Sequence, residues 1–262
     1  MNILVCVRRV PDTSENEIQL NAEGNDIERE ELVYSVNEPD NYAVEEALQI
    51  RDRVGGTVTV VTVGGEEDEE VLRRELAMGA NQAVLISDDA FMGSDGRGIA
   101  TILKEFVLKG HYDLILTGVQ ADDGAAQVGG MLAAMLDYPF ASLVNSISVE
   151  DGRLQVSREI EGGNREINEI ELPCVLSIQT GINEPRYVGM RGIRQVASVP
   201  IPTLGAGDVG VNPVTVGQKA ARVKRVDYFV PTRSEGAELL CGSRKENAEK
   251  VLELVAAKGG LK

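Results

Sequence analysis

The residues from Gly118 to Gly130, GVQADDGAAQVGG, have the composition of a loop that can hold an anionic ligand. They follow a short apolar run and precede a helical pattern, and ligands of open α/β sheets bind beyond the carboxyl ends of the strands. A glycine-rich turn lets backbone N–H groups approach a phosphate, and the next helix adds a favourable dipole. Gln120 and Gln127 can donate hydrogen bonds without adding charge. The spacing matches neither a Walker A loop nor GxGxxG, so a plain strand-to-helix turn stays an alternative.

The segment Asn37–Asp40 is a second candidate site. It precedes a helical pattern over 43–54, and Asp40 is expected to be the N-cap whose carboxylate accepts from first-turn N–H groups. The functional alternative is that Asn37 and its neighbours line the same end of the sheet as Cys6 and Val63. Strand ends from separate parts of the chain would then converge on one pocket.

The segment Asn183–Arg194 is a third candidate, and its composition suits a protein interface. It combines arginines with apolar side chains in a Pro/Gly context, and Arg, Tyr and Met are residue types that anchor interfaces. An ordinary connector that covers the core is the alternative. The members with interface chemistry are Arg186, Tyr187, Met190, Arg191, Ile193 and Arg194.

The composition argues against several other functions. A net charge of −16 disfavours nucleic acid and anionic lipid, because both are bound through Lys and Arg. Cys6, Cys174 and Cys241 are far apart and lack CxxC spacing, so we expect no disulfide or zinc site and a reducing compartment. His111 is the only histidine, which leaves no His-based triad, and the carboxylates suggest no catalytic pair. No apolar run approaches the roughly 20 residues of a membrane span, so we expect no membrane insertion.

The elements that must position these residues alternate between short apolar runs and helical patterns as far as residue 136. This order predicts an α/β fold with a doubly wound, mostly parallel sheet. In the 43–54 helix, Ala43, Val44, Ala47 and Leu48 recur at helical spacing, with Glu45, Glu46 and Arg51 expected on the opposite face. The runs 141–147, 154–160, 166–172 and 175–178 predict antiparallel additions.

The chain is expected to divide near residue 190. We predict a nucleotide-binding domain over residues 1–190. Residues 191–262 are predicted to form the end of the third candidate segment and an extended C-terminal arm that packs on a partner, with a final helix near 243–258. Frequent prolines between 185 and 213 favour an extended conformation there.

Six motifs occur in a fixed order along the chain. They are Asn2–Val10 with Pro11-Asp12, NEPDNYAVEEAL at Asn37–Leu48, MGA at Met78–Ala80, GVQADDGAAQVG from Gly118, REIEGG at Arg158–Gly163 and NEPRY at Asn183–Tyr187. Together they resemble the beta subunit of the electron-transfer flavoprotein, or FixA, family. The similarity runs to about Pro202, and the C-terminal arm fits more loosely.

The resemblance implies an electron carrier rather than an enzyme. Members are heterodimers with an adenine-nucleotide-binding, flavodoxin-like (HUP) fold, in which the alpha subunit holds FAD and the beta subunit buries a second nucleotide. That nucleotide is AMP in most members, and a second FAD with NADH nearby in bifurcating ones. Electrons come from acyl-CoA or other dehydrogenases and leave to a membrane-bound quinone oxidoreductase or another acceptor. A cytoplasmic location in a bacterium or archaeon is expected.

The resemblance also implies roles for individual residues. Thr13 and Pro39 would lie near the flavin of the alpha subunit, and Arg158 and Glu159 at the flavin and partner side. A recognition loop for dehydrogenases would comprise Asn183, Glu184, Pro185, Arg186, Tyr187, Met190, Arg191, Ile193 and Arg194, with Met190 as its apolar anchor. The nucleotide pocket would be lined by Cys6, Asn37, Glu38, Pro39, Asp40, Val63, Gly118, Val119, Gln120, Ala121, Asp122, Asp123, Gly124, Ala125, Ala126, Gln127, Val128 and Gly129.

Departures from the family pattern bear on which nucleotide is bound. The phosphate loop is one residue shorter than usual, and its Ala126–Gly129 stretch resembles bifurcating members, which favours FAD. The Asn183–Arg194 segment instead resembles AMP-containing members, and Glu38 before Pro39 departs from the usual Asn-Pro order. AMP is the expected nucleotide, with a second FAD as the alternative. A free-standing nucleotide-binding domain of the universal-stress or ATP-pyrophosphatase type is a rival that would need neither this segment nor the arm.

Overall fold

The computed structural model describes residues 1–121, 124–150, 152–231, 236–237 and 239–260. The chain forms two compact units. The first comprises Met1–Gln19 and Glu28–Val226, and the second comprises Leu20–Ile27 and Asp227–Lys262. The compact unit that carries the candidate sites therefore extends past residue 190, where the sequence pattern placed a boundary.

The strands and helices of the described residues follow the alternation expected of an α/β protein. The strands are β1 (Asn2–Cys6), β2 (Arg9–Pro11), β3 (Tyr34–Val36), β4 (Thr57–Val63), β5 (Gln82–Ile86), β6 (Leu114–Gly118), β7 (Phe140–Glu150), β8 (Arg153–Ile160), β9 (Asn164–Glu171), β10 (Cys174–Ile178) and β11 (Thr203–Leu204). The α-helices are α1 (Glu38–Val54), α2 (Glu69–Met78), α3 (Gly96–Lys109), α4 (Val128–Leu136), α5 (Met190–Val196), α6 (Ala206–Val209), α7 (Gly217–Ala220) and α8 (Arg244–Ala257).

Nine strands form one sheet in the order β11-β5-β4-β1-β6-β10-β7-β8-β9, and β2 pairs with β3 in a small antiparallel ribbon. All pairs from β11 to β7 are parallel, and the pairs β7–β8 and β8–β9 are antiparallel. The predicted class, a doubly wound, mostly parallel sheet with antiparallel additions, is confirmed. Successive residues of a strand face opposite sides, so Ile3 and Val5 of β1 pack with one helical layer and Leu4 with the other.

One strand assignment from the sequence pattern is wrong. The 175–178 run was expected to be an antiparallel addition, but β10 lies between β6 and β7 and is parallel to both. All of its residues are buried, which is typical of a parallel strand covered on both faces. The 141–147 run, within β7, is likewise parallel to β10 on one side and antiparallel only to β8 on the other.

Residues 191–226 fold rather than run extended, which corrects the expectation for this segment. β11 pairs with β5, and the carboxylate of Asp88 accepts from the backbone N–H of Ala206 at 2.9 Å. Asp95, the N-cap of α3, also accepts from the backbone N–H groups of Arg222 and Val223 at 2.7 and 3.2 Å. These contacts hold the segment against β5 and the start of α3. The prolines prevent long helices here, but they do not prevent short elements from packing.

The second unit contains the predicted C-terminal helix. α8 begins after Ser243, whose hydroxyl accepts from the backbone N–H of Glu246, while the Glu246 carboxylate accepts from the Ser243 N–H at 2.8 Å. This capping box explains why the helix begins there. Its apolar residues Val251, Leu252 and Val255 are exposed within the described structure. Among the described residues, none of the helices has the length and apolar character needed to cross a membrane.

Candidate functional site

The sheet order places a crevice at the carboxyl end of β1. The chain passes from β1 to β4 on one side, and β6 pairs with β1 on the other side. The last residue of β1, Cys6, lies opposite Thr117, next to Gly118 at the end of β6. In open α/β sheets, this reversal of strand order is where ligands bind. The loop predicted to hold an anion therefore begins at the topological switch point.

Asp40 connects the two strand ends that form this crevice. Its Oδ1 accepts from the backbone N–H of Gly118 and its Oδ2 from that of Arg8, each at 2.9 Å. The predicted N-cap role of Asp40 is wrong, since α1 begins at Glu38 with Asn37 as N-cap. Asp40 lies in the first turn, and its carboxylate is directed to the strand ends. Burial raises the pKa of Asp40 to about 7, although its hydrogen bonds oppose the shift.

Asn37 joins α1 to the candidate loop. Its side chain is almost fully buried, and its Nδ2 donates to the carbonyl oxygen of Gln120 at 3.0 Å. The Oδ1 atom of Asn37 is buried and accepts no hydrogen bond within the described structure. Buried polar atoms are normally paired, so this acceptor is available for a donor on a ligand.

Two glycines of the candidate loop are required by close packing. A Cβ at Gly118 would lie 2.3 Å from Oδ1 of Asp40, and a Cβ at Gly129 would lie 2.4 Å from Oγ of Ser177. Gly129 lets the first turn of α4 sit directly on β6 and β10, where the hydroxyls of Thr117 and Ser177 are 2.9 Å apart. First-turn N–H groups have no partner inside a helix, and the N-cap residue Gln127 makes no side-chain cap bond.

The loop borders an open cleft of about 390 Å³. Four segments line it, namely the loop, the start of α1, the end of β10 and β7. Asp122 and Asp123, predicted to belong to the pocket, lie outside the described residues. The lining residues are Glu38, Pro39, Val119, Gln120, Ala121, Leu143, Gln179 and Thr180.

The sequence patterns did not indicate Leu143, Gln179 or Thr180 as site residues. Gln179 and Thr180 directly follow β10. If β10 had been predicted to be a parallel strand, its carboxyl end, and with it these two residues, would have been expected at this crevice. Leu143 has a φ of 58°, unusual for a residue with a side chain, and lies where the pairing of β7 shifts register. Bulges of this kind often occur next to binding sites.

The remaining predicted site residues lie at the ends of neighbouring strands or in turns. Cys6 ends β1, and Val63 ends the adjacent β4. Burial, reinforced by the charge of Asp40, raises the pKa of the Cys6 thiol, so it is not a reactive thiolate. Thr13 is exposed in the turn that follows β2, and Gly124 donates its N–H to the carbonyl of Ala121 at 2.9 Å.

Arg158 and Glu159 lie on β8. Arg158 is paired with Val144 of β7 in the ladder, next to the cleft residue Leu143. Its guanidinium binds Glu166 of β9, with Nη2 3.0 Å from Oε2. The Glu159 side chain is exposed.

The Asn183–Arg194 segment is attached to α1. Arg186 forms an ion pair with Glu45, and Asn183 donates from Nδ2 to Glu46 at 3.1 Å. Glu45 and Glu46 are therefore buried, which corrects the solvent-exposed face expected from the helical pattern. Glu184, Tyr187, Met190, Arg191 and Arg194 are exposed, and Pro185 and Ile193 are half-buried.

The described residues contain no group of three or more His, Cys, Asp or Glu side chains suited to a metal ion. The chemistry at the crevice is instead that of backbone N–H groups, side-chain amides and one buried carboxyl. Such an arrangement can hold a ligand that has both an anionic group and hydrogen-bond donors.

The chain is similar to a known protein family over most of its length. The sequence profile of the electron transfer flavoprotein domain matches residues 25–209. The chain is 36% identical over 262 residues to the electron transfer flavoprotein subunit beta of Methylophilus methylotrophus, covering 97% of this chain and 98% of that protein.

Two further relatives have different names. The caffeyl-CoA reductase-Etf complex subunit CarD of Acetobacterium woodii is 37% identical over 246 residues, covering 93% of each chain. Protein FixA of Azotobacter vinelandii is 34% identical over 250 residues, covering 92% of this chain and 88% of that protein. Because these similarities extend over nearly the whole of each protein, this chain belongs to the electron transfer flavoprotein family, among its beta subunits.

Proposed function

We propose that this chain holds AMP at the crevice between β1 and β6, and that it works in a heterodimer with an alpha subunit that binds FAD. The FAD, when bound, accepts and releases the electrons. This chain would contribute a fixed nucleotide, one wall of the flavin site through Thr13 and Pro39, and a surface for redox partners.

The observation that carries the proposal is the double hydrogen bond of Asp40 at the switch point. It ties α1 to the ends of β1 and β6, so the crevice is preformed before a ligand enters. Preformed sites lose less conformational entropy on binding, which suits a nucleotide that is held rather than turned over.

The residues present fit a purine nucleoside monophosphate. The buried Oδ1 of Asn37 has no donor within the described structure, and an adenine amino group or a ribose hydroxyl could supply one. The uncapped start of α4 and the glycine-rich loop offer N–H groups to a phosphate. The described loop residues contain no Lys or Arg, so backbone groups rather than a side-chain cation would bind the phosphate.

The test is to release and identify the nucleotide. The chain is co-produced with an electron transfer flavoprotein alpha subunit from the same organism, the heterodimer is purified and denatured with acid, and the supernatant is separated by chromatography. We expect one equivalent of AMP and one of FAD per heterodimer. A heterodimer that carries FAD but no adenine nucleotide beyond it would contradict the proposal.

A second candidate is a heterodimer that holds a second FAD in place of AMP and uses NADH to bifurcate electrons. The Ala126–Gly129 stretch favours it, since it resembles bifurcating members, and one relative is named as a subunit of a caffeyl-CoA reductase-Etf complex. The cleft beside Leu143, Gln179 and Thr180 adjoins the loop and offers space for a larger ligand. Two equivalents of FAD, without AMP, would select this candidate.

The partners follow from the same proposal. Electrons would arrive from an acyl-CoA or other dehydrogenase and leave to a quinone oxidoreductase or another acceptor, in the cytoplasm of a bacterium or archaeon. The Asn183–Arg194 segment, together with Arg158 and Glu159, would meet these partners, and the C-terminal arm would pack on the alpha subunit. Co-purification of the alpha subunit should be lost on deletion of residues 227–262 if the arm supplies that interface.

A further inference from the structure

The segment from Asn183 to Val196, which we call the partner segment, exposes large apolar side chains. Tyr187 is 93% exposed and Met190 is 67% exposed. Side chains that project in this way cannot hold their own backbone in place by packing. The conformation of the partner segment must therefore be held by contacts of its other residues.

Glu45 of α1 supplies the principal contact. Its Oε2 accepts from Nε of Arg186 at 2.8 Å and from the Arg186 backbone N–H at 3.2 Å, and its Oε1 accepts from Nη2 at 3.0 Å. The carboxylate thus holds both the side chain and the main chain of the residue that precedes Tyr187. A two-pronged Arg–carboxylate pair fixes orientation as well as distance.

Two further contacts hold the ends of the partner segment. At its start, Asn183 donates from Nδ2 to the carbonyl of Tyr42 and to Oε2 of Glu46, both at 3.1 Å. At the C-terminal end of α5, Nη1 of Arg73 donates to the carbonyls of Val196 and Ala197, each at 3.0 Å. Val188 also packs against the core and Asp52 lies 3.8 Å from Nη2 of Arg186, so Glu45 supplies the closest charged contact to Arg186, the residue before Tyr187.

The charge of Glu45 is maintained by this ion pair. Burial acts to raise the pKa of Glu45, but hydrogen bonds from Arg186 and Gln49 hold it below its usual value. Glu75 on α2 is a contrasting case, because it is buried, neither of its carboxylate oxygens is paired with any residue the structure describes, and its pKa is raised to about 8. Arg186 therefore accounts for an ionised Glu45 in a buried position.

We infer that Glu45 is a positioning residue for the reaction with redox partners, because it fixes the partner segment through Arg186 so that Tyr187 and Met190 face outward. The same helix carries Asp40 in its first turn, so the nucleotide crevice and the partner segment share one rigid support. The inference rests on the proposed function, in which the partner segment meets a dehydrogenase.

The first test measures the conformation of the partner segment itself. Hydrogen exchange of the heterodimer is followed by mass spectrometry for wild type, Glu45→Gln, the conservative Glu45→Asp and the control Glu105→Gln. Glu105 pairs with Lys104 on α3, at 2.9 Å, so its loss removes an ion pair elsewhere. We expect exchange over 187–196 to accelerate about tenfold in Glu45→Gln, the scale of one lost charge-assisted hydrogen bond, and less in Glu45→Asp. Unchanged exchange in Glu45→Gln would overturn the inference.

The second test measures docking. The FAD of each heterodimer is reduced either by an acyl-CoA dehydrogenase with its acyl-CoA substrate, or by dithionite, which needs no docking surface. We expect the KM for Glu45→Gln to rise about tenfold with kcat, dithionite reduction and AMP content unchanged. Faster exchange with an unchanged KM would contradict the docking role while leaving AMP binding intact. A wild-type heterodimer that the dehydrogenase does not reduce would count against the proposed partner class, and the exchange result would still decide the role of Glu45.

Discussion

The carboxylate of Asp40 accepts a hydrogen bond from the backbone N–H of Gly118 at 2.9 Å, although the two residues are 78 positions apart in the chain. Its other oxygen binds the N–H of Arg8. Two strand ends and one helix are thereby joined at a single buried group. The properties of the crevice should depend on the ionisation of that group.

Nucleotide affinity should therefore depend on pH through Asp40. The pKa of Asp40 in the folded protein, about 7, lies above its ordinary value of 3.8. Protonated Asp40 therefore contributes fully to the stability of the fold below about pH 4, and this contribution is lost as pH rises through 7. An ionised Asp40 beside the loop should also repel a phosphate. We expect AMP to bind more weakly at pH 8 than at pH 6, as measured by calorimetry on the AMP-depleted heterodimer.

The matched variant for this prediction is Asp40→Asn. Its uncharged amide should flatten the difference between pH 6 and pH 8, whatever its effect on absolute affinity. Ionisation of the phosphate of AMP affects both proteins alike and so cancels in the comparison. An equal pH dependence in wild type and Asp40→Asn would contradict the role of this carboxyl.

Gly129→Ala should weaken both folding and nucleotide retention. The new Cβ would meet Ser177 Oγ at 2.4 Å and Thr117 Oγ1 at 2.8 Å, and would push the first turn of α4 away from the sheet. Overpacking of this kind costs about 1–3 kcal/mol. Thermal unfolding and AMP content of the purified heterodimer provide the measurement.

Gly130→Ala is the control, because its Cβ would make only ordinary contacts with Phe140, at 3.5 Å or more. Alanine is a better helix former than glycine by about 1 kcal/mol, so this variant should be neutral or slightly stabilising. Equal destabilisation by both alanines would show that close packing at Gly129 is not the cause.

Asn37→Ala should lower AMP affinity by roughly tenfold, since it removes the bond that holds the Gln120 carbonyl and a buried acceptor for the ligand. Asn183→Ala is a suitable comparison, because Asn183 also contacts α1 but does so at Tyr42 and Glu46. Titration of AMP into the depleted heterodimers should separate the two. A similar loss of affinity in both would indicate a general effect on α1.

Glu75→Leu should stabilise the fold, and more so at alkaline pH. Burial raises the pKa of Glu75 from 4.5 to about 8, and no donor pairs with its oxygens within the described structure. The stability that its protonated form provides is fully present below about pH 4.5 and is lost as pH rises through 8. The free energy of unfolding falls over this range by an amount on the order of 3–5 kcal/mol. The gain over wild type in thermal unfolding should therefore be larger at pH 9 than at pH 6.

Glu75→Gln tests whether the charge is the cause. It keeps the size of the side chain and removes its titration, so it should share the reduced pH dependence without the full gain from an apolar residue. Parallel loss of stability between pH 6 and pH 9 in wild type and both variants would contradict this account.

Local patterns predicted much of the fold correctly. The helix predicted over 43–54 lies within α1, and the predicted alternation of strands and helices as far as residue 136 is observed, because periodicity depends only on residues within a few positions. The motif order pointed to the right family, and the family match favours an electron transfer flavoprotein subunit over the free-standing nucleotide-binding domain that sheet order alone allowed.

The errors concern relations between distant residues. The apolar run of β10 is compatible with either a parallel or an antiparallel sheet. The position of β10 between β6 and β7 depends on the path of the whole chain, which the run itself does not show. Glu45 and Glu46 were expected on the side of α1 opposite its apolar residues, but they are buried. The pattern of one helix cannot show that residues 183–186 will cover that side.

By itself the sequence determined the element types, the acidic surface, the glycine-rich loop after a strand and the motifs of the family. Only the tertiary structure decided that the Asp40 carboxylate meets Gly118, that Gly129 must lack a side chain, and that Arg186 reaches Glu45 across 141 positions. The physical reason is that hydrophobic periodicity is a local property. The partner of a buried polar group is instead set by which strand ends and loops the whole fold brings within hydrogen-bonding distance.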